Sequence, residues 1–107
     1  MTRTPRFVER VFTDEEREYC DSRGAAAAQS YAARFAAKEA FLKAIKTGWS
    51  GKIRWHDVEV KRDETGVPSL SITGEAAIKL AELGGTSIHL AISHTTEHAI
   101  AQVIIEA

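Results

Sequence analysis

Four charged residues stand out in the stretch YAARFAAKEAFLKAI, residues 31–45: Arg34, Lys38, Glu39 and Lys43. At about 100° per residue, Tyr31, Phe35, Phe41, Leu42 and Ile45 occupy one arc of a helix, and Ala32, Ala33, Ala36, Ala37 and Ala40 occupy most of the rest. A helix with no polar face is expected to be buried, its alanine side admitting a strand or a second subunit close to the backbone. Arg34 and Lys38 fall within the arc of large side chains; Glu39 and Lys43, one turn apart, fall on its border. Two readings are open. In the first, Glu39 and Lys43 form an ordinary i,i+4 pair and the basic side chains snorkel to water. In the second, a carboxylate suited to a hard divalent cation, flanked by ammonium and guanidinium groups, is set to neutralise a diphosphate during phosphoryl transfer. Spacing and composition do not choose between them.

The elements that must position these residues are legible in outline. Phe7, Val8, Val11 and Phe12 form the apolar side of a short helix whose other side carries Arg3, Arg6 and Arg10. Thr13 and Glu16 have capping-box spacing, so a second helix is expected from there to about Ser22, with Asp14, Glu15 and Glu16 in its first turn. The alanine-rich helix should run to about Lys46 and stop before TGWSG. IRWHDVEV (Ile53 to Val60) and PSLSI read as two strands of a hairpin, GEAAIKLAEL as a helix closed by Gly84 and Gly85, and SIHLAIS and AIAQVIIE as two apolar strands expected at the centre of a sheet. The order points to an α+β fold in which an antiparallel sheet is packed with helices.

The 107 residues make one domain, 1–107, small enough that oligomerisation is an expected way to complete its burial. With 14 basic and 15 acidic residues there is no overall field to favour nucleic acid or a membrane surface, so electrostatic recognition must be local. A single cysteine, Cys20, fits a reducing cytosol, and no segment approaches the roughly 20 apolar residues of a membrane span. Cys20 has no local partner to activate a thiolate, His56, His89 and His98 lack metal-ligand spacing, and Trp49 and Trp55 read as packing residues.

Four motifs in order resemble the holo-acyl-carrier-protein synthases, the small bacterial 4′-phosphopantetheinyl transferases: RFVERVFTDEEREYC, ARFAAKEAFLKAI, TGWSGKIRWHDVEV and IHLAISHTTEHAIAQVIIE. The resemblance implies a trimer that moves the phosphopantetheine arm of coenzyme A to a serine of an apo acyl carrier protein, with magnesium, at sites between subunits. It matches Glu39 to the magnesium-binding glutamate and Lys43 to the lysine facing the reacting phosphate. It assigns His94, Thr95, Gly48 and Arg34 to coenzyme A, and Arg3, Arg6 and Arg10 to the acidic carrier protein. There are two departures. Lys46 stands where the family has glycine, and the family's opening strand, whose aspartate shares the metal, has no counterpart before Glu9. Half of the usual metal site is therefore expected to be absent, and a non-catalytic trimeric homologue that binds coenzyme A or carrier protein without turnover is the alternative expectation.

Overall fold

The computed structural model describes residues 5–45, 52–62, 64–94 and 99–106. Helix α1 (Pro5–Val11) opens on a proline, whose missing N–H is no loss in a first helical turn. Helix α2 (Asp14–Ser22) starts at the expected capping box. Thr13 Oγ1 accepts from the Glu16 amide at 3.2 Å, and Glu16 Oε1 accepts from the Thr13 amide at 2.9 Å. A 3₁₀ turn (Gly24–Ala26) leads into the long helix α3 (Ala27–Ala44); Lys46, the expected end, lies outside the described residues.

The segment that follows departs from expectation. Ile53 to Asp57 is not strand: Trp55–Asp57 is a 3₁₀ turn, held by the Asp57 carboxylate accepting from the Arg54 amide at 3.1 Å, and strand β1 begins only at Val58 (Val58–Arg62). That turn accounts for the imperfect alternation of the sequence there. Strand β2 (Pro68–Ile72) pairs antiparallel with β1, Val58 opposite Ile72. Helix α4 (Gly74–Glu82) follows directly, and only glycine suits its first position: Gly74 has φ +59°, and a Cβ there would stand 2.8 Å from Asp57 Oδ1.

Strands β3 (Ser87–His94) and β4 (Ala99–Glu106) form a second antiparallel pair, Ser87 opposite Glu106 and His94 opposite Ala99. Among the described residues each pair is a separate two-stranded sheet, so β3 and β4 are not the central strands expected. Their alternation arises because one face only is covered. Ile88, Val103 and Ile105 pack on a core of Phe41, Leu42, Ile45, Ile53, Val58 and Ala76. A second core gathers Val11, Phe12, Cys20 and Tyr31 between the first three helices. Trp55 touches both cores and stacks on Phe35, ring centroids 5.3 Å apart, which is the packing role expected of it. Helix α3 lies against β4, as its small side chains allow.

Candidate active site

Helix α3 sorts its charges onto two faces. Lys38 is fully buried, and its Nζ lies 2.8 Å from Glu16 Oε1 while donating to the carbonyls of Val58 and Trp55, the latter at 3.2 Å. Three donors of the ammonium meet three acceptors. Glu16 is equally enclosed: beyond the cap and the lysine, its Oε2 accepts from the Val60 amide at 2.8 Å. One carboxylate thus ties the start of α2, the middle of α3 and strand β1 together. Burial lowers the Lys38 pKa and the Glu16 charge opposes that shift. Arg34, one turn earlier on the same side, is also buried, its guanidinium 4.3 Å from the Tyr19 ring centroid. Neither side chain snorkels to water, contrary to the first reading of the sequence.

Glu39 and Lys43 are exposed, and among the described residues they form no ion pair with each other, so the expected i,i+4 pair is not made. Two charges one turn apart, on a helix whose other charges are enclosed, are left facing outward. By helical rotation Arg34 sits about 140° from Glu39 and about 180° from Lys43, so one subunit does not bring it together with them.

Of the remaining candidates, Arg6 and Arg10 are exposed on α1. His94 is the last residue of β3, and Arg3, Gly48, Thr95 and Trp49 lie outside the described residues. Cys20 is buried, and desolvation pushes its thiol up to about 11, the opposite of an activated nucleophile. His56 bonds the Glu9 carbonyl at 2.7 Å and His89 the Glu106 carboxylate at 2.7 Å. Among the described residues no three His, Cys, Asp or Glu side chains gather to hold a metal. Glu39 nevertheless offers an exposed carboxylate with no ion-pair partner among the described residues, the hard oxygen donor that magnesium prefers, and one or two such ligands suffice when a phosphate group and water complete the octahedron. Sequence reasoning missed Glu16 as the partner of Lys38. Its capping role was readable locally, whereas its second role joins residues far apart in the chain.

Residues 1–103 match the family described as the 4′-phosphopantetheinyl transferase superfamily. A holo-[acyl-carrier-protein] synthase of Koribacter versatilis is 48% identical over 101 residues, 94% of this chain and 80% of the relative. The crystal structure of the holo-[acyl-carrier-protein] synthase of Neisseria meningitidis is similar with a TM-score of 0.82 at 33% identity, over 96% of this chain and 82% of that one. That of Bacillus anthracis, solved in complex with CoA (3′,5′-ADP), gives 0.78 at 37% identity, over 95% and 81%. The chain belongs to the 4′-phosphopantetheinyl transferase superfamily and, within it, to the holo-acyl-carrier-protein synthases.

Proposed function

We propose that this chain transfers 4′-phosphopantetheine from coenzyme A to a serine hydroxyl of an apo acyl carrier protein, giving holo carrier protein and adenosine 3′,5′-bisphosphate. The observation that carries this reading is the outward pair Glu39 and Lys43 on a helix whose Lys38 is already satisfied inside the protein. In the reaction the serine oxygen bonds to the phosphorus bearing the pantetheine arm, and the phosphoanhydride bond to the nucleotide breaks. Glu39 is the residue that would hold magnesium, which when bound supplies positive charge against the diphosphate. Lys43, one turn on, holds its ammonium toward the phosphate oxygens as charge builds in the transition state. Gly48, His94 and Thr95 are the residues proposed to bind coenzyme A, together with Arg34 on the other side of α3. Arg6 and Arg10 on α1, and Arg3 before them in the sequence, are the basic residues proposed for an acidic carrier protein.

The same reading makes the protein a cytoplasmic homotrimer. Residues opposite each other in an antiparallel pair share a face, and on the outer face of β3 and β4 Ile104 faces His89 while Ile100 faces Ser93. Ile100 is 69% exposed and Ile104 50% exposed, apolar surface on a hairpin that needs a second layer. A closed trimer provides one. No helix among the described residues is long and apolar enough to cross a membrane.

Mass spectrometry of an apo carrier protein incubated with this chain, coenzyme A and magnesium tests the activity: a gain of one phosphopantetheine is expected. Coenzyme A binding with no mass gain would instead identify a non-catalytic homologue. Light scattering tests the trimer, and a monomer at micromolar concentration would exclude it.

A further inference from the structure

The 3₁₀ turn Trp55–Asp57, which interrupts the expected strand, is pinned from several sides. The Trp55 carbonyl accepts from Lys38 at 3.2 Å, and the Trp55 ring stacks on Phe35. The Asp57 carboxylate accepts from the Arg54 amide at 3.1 Å, and the Asp57 carbonyl accepts from the Thr73 amide at 2.9 Å. His56, between them, reaches the other way. Its Nε2 lies 2.7 Å from the backbone carbonyl of Glu9, in the last turn of α1. A carbonyl oxygen only accepts, so Nε2 carries the proton and donates it.

That carbonyl has a particular need of a donor. In a continuing helix it would accept from the amide four residues on, as the Val8 carbonyl does from the Phe12 amide at 2.9 Å. The amide in question belongs to Thr13, and the capping box of α2 has taken it: it donates to Glu16 Oε1 at 2.9 Å. The cap that starts α2 thus strips a bond from α1, and His56 replaces it from a distant part of the chain. Helix α1 has only seven residues, too few to hold a helix without tertiary contacts. Its place depends on this bond and on the packing of Phe7 and Val8 against the second core.

We propose that His56 is a positioning residue for carrier-protein docking. It fixes the last turn of α1, which carries Arg10, against the same turn whose Trp55 carbonyl holds Lys38, the neighbour of Glu39 in α3. Two successive residues of one pinned turn therefore set the spacing between the basic face of α1 and the outward pair of α3. The inference rests on the reading of α1 as the docking face.

The test is calorimetric titration of the whole chain with the apo carrier protein at low salt and, separately, with coenzyme A. It needs no turnover, so a chain that binds but does not transfer still answers it. In His56→Ala, carrier-protein affinity is expected to fall about fivefold, the size of one lost hydrogen bond, with coenzyme A affinity unchanged. His56→Gln, whose side-chain amide can donate to the same carbonyl, should recover most of the loss. In a background of Arg6→Gln with Arg10→Gln the effect of His56→Ala should shrink, because the groups that it positions are gone. If His56→Ala does not fold, His56→Ser, whose hydroxyl is too short to reach α1, decides. A loss undiminished in the arginine background, or an equal loss of coenzyme A affinity, would make His56 a stabilising residue only and overturn the proposal. Wild-type carrier-protein affinity in His56→Ala, with weakened binding in the arginine variant, would overturn the role of His56 and leave the docking face standing. Wild-type affinity in the arginine variant, or no carrier-protein binding by the wild type, would refute the docking face and this proposal with it.

Discussion

The two faces of α3 each carry two charges one turn apart, Arg34 and Lys38 inside and Glu39 and Lys43 outside, with opposite outcomes. On the inner face Lys38 is enclosed and meets a carboxylate and two carbonyls; on the outer face Glu39 and Lys43 are exposed and do not pair. A helix that is apolar almost all round tolerates a charge only where the fold supplies its partner or where solvent and ligand do. The difference separates the charges that build this protein from the two to which the proposed chemistry is assigned. Between the two kinds lies Arg34, enclosed like Lys38 but lacking its full set of partners.

The largest effect should come from breaking the inner face. Lys38→Met leaves the Glu16 carboxylate buried without its countercharge and should cost roughly 3–5 kcal/mol of unfolding free energy, measured in urea. Adding Glu16→Gln should make the double variant less unstable than the sum of the two single changes, because the orphaned charge goes with its partner. A loss in Lys38→Met no larger than that of a typical surface substitution would mean that the pair is not what holds α2, α3 and β1 together. Stability should also respond to pH through this lysine. Its folded pKa lies below the ordinary lysine value of 10.5, so between the two the unfolded chain binds more protons. The lysine's contribution is therefore most favourable above the ordinary value and declines as pH falls toward the folded one. The wild-type stability should accordingly rise relative to Lys38→Met as the buffer is made more alkaline across that window.

Breaking the outer face should do the reverse. Glu39→Gln is expected to abolish carrier-protein modification and Lys43→Ala to slow it about 10²-fold, the range seen when one charge-stabilising donor is removed from a transition state. Both should leave unfolding free energy within about 0.5 kcal/mol of wild type, as for surface substitutions without partners. Full transfer activity in Glu39→Gln would place the chemistry elsewhere.

What could be read from the sequence follows the same division. The Thr13 to Glu16 cap, the helix from Gly74 and the strands from Pro68, Ser87 and Ala99 rest on local patterns, and they form where local patterns put them. The start of β1 was misread because Asp57 turns its carboxylate back onto the Arg54 amide and winds a 3₁₀ turn into an apolar stretch. The fate of the α3 charges was unreadable for a different reason. The partners of Lys38 come from a helix cap upstream and from a carbonyl 20 residues downstream, and no periodicity records that meeting. A cavity beside Arg34 has the same origin, since Tyr19 and Arg62, far apart in the sequence, line it together. The outer face of β3 and β4 could be read as apolar, but not as uncovered in a single chain.

The smallest effect is expected from the exposed charges of α1. Arg6 and Arg10 lie on the solvent side of α1, where their neighbours Phe7 and Val8 are turned toward the second core. Their removal should not disturb folding. If they form the docking face for an acidic partner, the double change Arg6→Glu and Arg10→Glu should slow association by about tenfold at low salt, since long-range steering acts mainly on the encounter rate. The difference should shrink as ionic strength rises, because at 0.15 M the Debye length is only about 8 Å. Coenzyme A affinity should stay at the wild-type value, which separates docking from chemistry. Stopped-flow association with the apo carrier protein at several salt concentrations measures both quantities. An unchanged rate at low salt would make these arginines a solvated face with no role in recognition.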